Sequence, residues 1–199
     1  MIALSRFMLP AVALLAATSF TLLASHQWRW CLIALALQYV GVFALTGVSW
    51  PLALAAVKLV AGWMAGLVLA ISARNTPRMW AAEERSQPGS AFFRFLAAGL
   101  VVLVVASVAP LTTNWMPGAD MEQVWGGLLL IGLGLLHLGL TAQPLRVVLG
   151  LLTVLSGFEI LYAAVESATL VAGLLAAINL GLALVGAYLL VSPDLEDAG

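Results

Sequence analysis

Charge is the first thing this chain has little of. Only 9% of its 199 residues are charged, whereas an ordinary soluble domain has about 25%. So thin a supply cannot coat a core of this size with a solvated shell. There is no basic tract to meet nucleic acid and no acidic tail beyond the last few residues. Cysteine is almost absent too: Cys31 stands alone, which excludes an internal disulfide or a cysteine metal cluster made by this chain. Its simplest role is that of a small apolar residue in a helix. A nucleophile and base arrangement, a phosphate-binding glycine loop and a metal-ligand cluster are all missing, so the chain does not read as an enzyme acting alone. Nor is there an internal repeat or a pair of interrupted helices, the usual signs of an alternating-access transporter.

What is present is hydrocarbon. Hydrophobic residues make up 63% of the chain, and the mean hydropathy is +1.10. A span needs roughly 17 to 25 predominantly apolar residues, and seven runs qualify: Phe7 to Leu23, Trp30 to Thr46, Trp50 to Ala73, Ala91 to Ala109, Val124 to Ala142, Leu145 to Ala164 and Ala168 to Val191. The expected fold is therefore an all-α, polytopic integral membrane protein of about seven transmembrane helices. Arg6 and the run after it also have the form of a signal peptide, but with the sequence starting at Met1 the segment is expected to stay as the first span. Short polar breaks separate most runs: Ser25, His26 and Gln27; Gly47 to Pro51; Gln143 and Pro144. Two breaks are longer, Arg74 to Ser90 and Pro110 to Gln123.

An odd number of spans puts the termini on opposite sides, and the Lys and Arg bias chooses between them. Arg29, Arg74, Arg78, Arg85, Arg94 and Arg146 fall on the side of the C-terminus, and Arg6 alone on the other. The N-terminus is expected outside and the C-terminus in the cytoplasm of a bacterial or archaeal cell. Trp28, Trp30, Trp50, Trp80, Trp115 and Trp125 fall at or just beyond predicted helix ends, where an amphipathic ring suits the headgroup level.

Function is expected where polarity intrudes into hydrocarbon, because a charge at the bilayer centre costs at least about 2.5 to 3.5 kcal/mol. Lys58 lies eight residues into the third run, about 12 Å from its start. Glu159 lies about six residues before the end of the sixth. The two runs are antiparallel, so these charges fall at similar depth and an ion pair is geometrically possible. The face of Lys58 carries Ala55, Ala61, Gly62 and Ala65, small residues that leave room for a long side chain. The face of Glu159 carries Ser156, Tyr162 and Glu166. Three further polar residues lie within spans: Gln38 in the second, His137 in the fifth and Asn179 in the seventh. Amides do not titrate, so Gln38 and Asn179 read first as interhelical glue. The stripe of Gly173, Ala177 and Gly181 predicts tight packing on one side of the seventh helix, with Asn179 on another.

Two segments carry a resemblance. Leu155, Ser156, Gly157, Phe158, Glu159, Ile160 and Leu161, followed one helix later by Ala176, Ala177, Ile178 and Asn179 in a Gly, Leu and Ala rich run, resemble the three-helix K subunit of respiratory complex I. Over the whole chain the better likeness is to component E of the hydrogenase-4 type membrane complexes. It rests on a lysine inside the third helix, here Lys58, and on the exit Arg74, Asn75, Thr76, Pro77. The resemblance implies a four-helix extension over residues 1–110 and a K-like part over 111–199. It also implies that the chain binds no cofactor, packs beside antiporter-like subunits in the cell membrane, and forms part of a polar path for protons or other cations. Glu159 would be the titrating carboxylate and Lys58 its tuning charge, with Asn179, Glu166, His137 and Gln38 along the path. Asn179 stands where the K subunit has a second buried carboxylate, a departure, since an amide cannot take up and release a proton. The leading expectation is a non-redox membrane-arm subunit that couples electron transfer to cation movement. A structural or assembly subunit, or a free-standing ion transporter, are the alternatives.

Overall fold

A computed structural model describes residues 2–25, 27–75 and 91–196, with side chains from 8–25, 27–75 and 92–192. His26, Arg78, Trp80, Glu83, Glu84 and Arg85, the Thr76–Pro77 half of the exit motif, and the side chain of Arg6 lie outside the described residues. Within them the chain forms seven helices: α1 (Ile2–Ala24), α2 (Trp28–Ser49), α3 (Leu52–Asn75), α4 (Ala91–Trp115), α5 (Met121–Gly139), α6 (Pro144–Val165) and α7 (Thr169–Glu196). Six of these helices are long and apolar enough to cross a membrane, and α1 contributes a shorter apolar stretch, Met8–Ala24. Among the described residues the secondary structure is all helical, and the protein has the character of a multi-pass membrane protein.

The helix ends follow local chemistry. Pro144 opens α6, where a missing N–H costs nothing and the fixed φ suits a first turn. Gly118, with φ of 106°, turns the chain between α4 and α5, a conformation that a Cβ would strain. The Gln123 side chain accepts from the Asp120 backbone N–H at 3.2 Å and donates to the Leu45 carbonyl and the Ser49 hydroxyl at 2.9 and 2.8 Å. It thereby closes the first turn of α5 and ties it to the end of α2. One sequence expectation fails here. The apolar run Ala91 to Ala109 predicts a helix that stops before Pro110, yet α4 runs through it to Trp115. A single proline removes one backbone donor without ending the helix, which goes on for five residues with the Thr112 and Thr113 hydroxyls donating to the Val108 and Ala109 carbonyls at 3.1 and 2.9 Å, and the connection to α5 shortens accordingly.

The first three and last three helices are interleaved. α1 packs on α5, α2 on α6 and α3 on α7, while α4 leans on α5 at the periphery. The central pair, α2 and α6, is the most enclosed, and α4 the least. One apolar cluster joins Leu22, Leu35, Leu69, Leu149, Leu152 and Leu190; a second joins Leu15, Val42, Leu45, Leu130 and Ile160. Large apolar side chains such as Phe92, Leu100, Leu103, Leu111 and Trp115 on α4 point outward, as lipid contact requires.

Close approach between α5 and α6, the most extensive helix pair, depends on four glycines. Gly127 and Gly134 on α5, and Gly150 and Gly157 on α6, are each seven residues apart and so share a face. A Cβ on Gly157 would stand 2.6 Å from the Gly127 carbonyl oxygen, and one on Gly134 3.1 Å from that of Gly150. The stripe singled out from the sequence behaves otherwise: around Gly173 and Gly181 an added Cβ would meet nothing within 4 Å. α7 packs instead through Ala172, Leu175, Asn179, Ala183 and Leu190. Small residues permit close packing, but only a facing helix makes use of it.

Candidate functional site: a buried charge cluster

Lys58, the single lysine of the chain, meets Glu159 in the middle of the bundle. The Lys58 Nζ donates to Glu159 Oε1 and pairs with Oε2. Their side chains are 4% and 1% exposed, so neither charge is offset by solvent. Lys58 reaches this point because Ala55, Ala61 and Ala65 on its face of α3 are small and fully packed. Gly62 lies so near α2 that a Cβ would stand 2.3 Å from the Tyr39 ring.

Two further helices complete the cluster. Asn179 on α7 donates through Nδ2 to Glu159 Oε1 at 3.4 Å and accepts through Oδ1 from the Tyr39 hydroxyl of α2 at 3.3 Å. The Lys58 ammonium lies 5.5 Å from the centre of the Tyr39 ring, close enough for a cation–π attraction. Ser156, one turn before Glu159 on α6, is fully buried near the Tyr39 hydroxyl. Four helices thus converge on one carboxylate. A carboxylate has about four acceptor sites, and here an ammonium and an amide fill the strongest of them.

Of the residues expected to form a path, Lys58, Glu159 and Asn179 are brought together. Gln38 is buried beside Tyr39 in the chain, and neither atom of its amide finds a partner. His137 lies elsewhere. Its ring stands over Gly150, nine residues and therefore about 13 Å along α6 from Glu159, and it faces the backbone of Arg146. Glu166 caps the far end of α6 in extended conformation, exposed, with its carboxylate accepting from the Ser167 N–H at 3.1 Å. Trp50, expected at the headgroup level, is buried: its indole donates to the Glu166 carbonyl at 2.8 Å and meets Tyr162 edge-on.

Tyr39 is the member that the sequence reading missed. Its signal was the polar doublet Gln38–Tyr39 inside an apolar run, but a tyrosine with an apolar ring passes easily for core. Tyr39→Phe is expected to cost about 1 kcal/mol, by leaving Asn179 Oδ1 buried without its donor. Denaturant unfolding in micelles, with Tyr162→Phe as reference, checks this.

No family model, curated protein or solved structure matches this chain. Among the described residues no group of three or more His, Cys, Asp or Glu side chains could hold a metal ion. What the cluster offers chemically is one carboxylate whose charge state is tied to one ammonium, both sealed from solvent.

Proposed function

We propose that this protein is a non-redox membrane-arm subunit of a complex I-like or membrane-hydrogenase-like oxidoreductase, in which Glu159 helps to couple electron transfer to proton or cation translocation. The observation that carries this reading is the buried pairing of Lys58 with Glu159, joined by Asn179 and Tyr39 from two further helices. Burial favours the neutral carboxyl and a nearby ammonium favours the charged one. A pair held between these opposing demands responds to a charge moved in a neighbouring subunit. Seven spans, with the N-terminus outside and the arginine-rich side in the cytoplasm of a bacterial or archaeal cell, complete the reading. The likeness of the Glu159 segment to the K subunit, and of the whole to component E of hydrogenase-4 complexes, supplies the partners: antiporter-like membrane subunits.

Glu159→Gln, made in the assembled complex, keeps the size of the side chain and removes its proton chemistry. Proton pumping in proteoliposomes is expected to fall at least about tenfold while electron transfer stays measurable. Unchanged pumping would refute the proposal. A second reading, a scaffold subunit, draws on the same tie of four helices: there Glu159→Gln lowers the yield of the complex and leaves the ratio of ions moved per electron unchanged.

A further inference from the structure

The side chains bonded to Glu159 present donors to it. The Lys58 ammonium has three N–H groups and no acceptor; it donates to Oε1 and pairs with Oε2. Asn179 turns its Nδ2 to Oε1 at 3.4 Å. Such a setting suits an ionised carboxylate, which accepts and cannot donate. It does not suit the protonated form, because a carboxylic O–H is itself a donor and is costly to bury without an acceptor. If Glu159 takes up and releases a proton, as the proposed function holds, its O–H must find an acceptor among donors.

Asn179 and Tyr39 can supply it together. A side-chain amide carries a carbonyl oxygen and an NH2 group of similar size, so a half-turn about its Cβ–Cγ bond exchanges the two with little displacement of its neighbours. In the structure Nδ2 faces Glu159, and Oδ1 accepts from the Tyr39 hydroxyl at 3.3 Å. After the half-turn Oδ1 faces Glu159 and Nδ2 faces Tyr39. A phenol hydroxyl both donates and accepts, so Tyr39 completes either orientation. Its hydrogen then turns to the nearby Ser156 hydroxyl, which is fully buried and has no hydrogen-bond partner. Tyr39 is 1% exposed and Asn179 0%, so bulk solvent takes over neither task.

We infer that Asn179 and Tyr39 are positioning residues for the proton of Glu159: the amide turns over when the carboxylate is protonated and turns back when the proton leaves. The inference rests on the proposed function in one respect, that Glu159 changes its protonation. One proton from the aqueous side forms the Oε1–H bond, Lys58 stays an ammonium, and the pair passes from neutral to singly positive. Oε1–H donates to Oδ1, and Nδ2 donates to the Tyr39 oxygen. The ammonium keeps the Tyr39 ring at 5.5 Å, and that attraction offsets part of the lost ion pair. Lys58 from α3 and Tyr39 from α2 are the ionisable groups turned towards Glu159. On α5, His137 stands over Gly150; on α7, Tyr188 is exposed. On α6 itself Tyr162 packs against Trp50 and Phe158, while Arg146 and Glu166 lie about 20 and 10 Å away along the axis. The amide, which takes up no proton itself, thus serves both charge states of its neighbour.

Lysine occurs once in the chain, and asparagine and tyrosine three times each, so isotope labels report on the cluster with little overlap. The full-length protein is labelled with 13C in the glutamate carboxyl and the tyrosine Cζ and with 15N in the asparagine and lysine side chains. Solid-state NMR in lipid bilayers follows it as the pH is lowered, with Glu159→Gln and Tyr39→Phe identifying the two carbon signals. While Glu159 is ionised, a carbon–nitrogen contact between Glu159 Cδ and Asn179 Nδ2 is expected. Once Glu159 is protonated, that contact is expected to be lost and one between Asn179 Nδ2 and Tyr39 Cζ to be gained, with the Lys58 ammonium signal retained. A protonated Glu159 that keeps its contact with Nδ2 would overturn the inference and leave the proposed function standing. An amine signal from Lys58 at that stage would do the same, since the O–H would then have Nζ as its acceptor. A Glu159 that stays ionised at every pH at which the chain is folded would overturn the inference and count against the proposed function as well. The contacts are read in the wild type, so the test does not depend on a variant that folds.

Discussion

Lys58→Met is expected to destabilise the protein by about 3–5 kcal/mol, while Lys58→Met combined with Glu159→Leu returns to within about 1 kcal/mol of the wild type. The asymmetry follows from where the pair sits. With the ammonium removed, Glu159 faces the packed alanines of α3 and keeps only the Asn179 amide among its hydrogen-bond donors. A lone buried charge loses far more in desolvation than one such bond returns. Removing both charges takes away the Coulombic attraction and both desolvation penalties together, and side chains of similar volume refill the space. Reversible unfolding in mixed micelles, run as a double-mutant cycle, measures the coupling directly. A double variant as unstable as the single one would show that the rest of the cluster, not the ion pair, holds these helices. Where the double variant is stable but does not support pumping, the pair is retained for its chemistry.

Gly157→Ala should also have a large effect, through geometry alone. Its Cβ would lie 2.6 Å from the Gly127 carbonyl oxygen and 2.9 Å from the backbone nitrogen of Ile131. Backbone atoms of a facing helix cannot rotate aside, so α5 and α6 must separate along their contact. Overpacking of this kind costs about 1–3 kcal/mol, occasionally more. It would also shift Glu159, two residues along the same helix. Gly173→Ala and Gly181→Ala make the contrast: nothing lies within 4 Å of either added methyl, so each is expected to be neutral or to gain about 0.5–1 kcal/mol from reduced backbone freedom. Thermal unfolding of the three variants in one detergent decides the matter: a Gly157→Ala variant no less stable than the other two would refute the packing account, since propensity alone favours alanine in a helix.

Much of this was legible in the primary structure. Apolar runs of membrane length place most of the helices to within about five residues, because a helix satisfies every backbone group in hydrocarbon within one continuous segment. The largest difference is in α4, where Pro110 is interior and the helix ends six residues beyond the expected Ala109, with α1 starting five residues earlier and α7 ending five later than the apolar runs. The two intramembrane charges stood out by their cost alone, and counting residues put them at one depth. Depth is a one-dimensional quantity that spacing along a helix supplies. The rotation of each helix about its axis, and the choice of neighbour, are not carried by any local run.

Those choices belonged to the tertiary structure. It turned the Asn179 side of α7 inward and left the Gly173 and Gly181 side open. It used Gly127, Gly134, Gly150 and Gly157 for the closest seam, brought Tyr39 to the cluster, and left His137 and Glu166 at opposite ends of the molecule. When every face of a helix is apolar, hydrophobicity cannot say which face packs; shape and the few polar contacts decide it. The sequence by itself determined a helical membrane protein with two costly charges at matching depth, since both follow from composition and period. Whether those charges meet was a matter of how α3 and α6 are turned, and the packing of small residues around Lys58 turns them together.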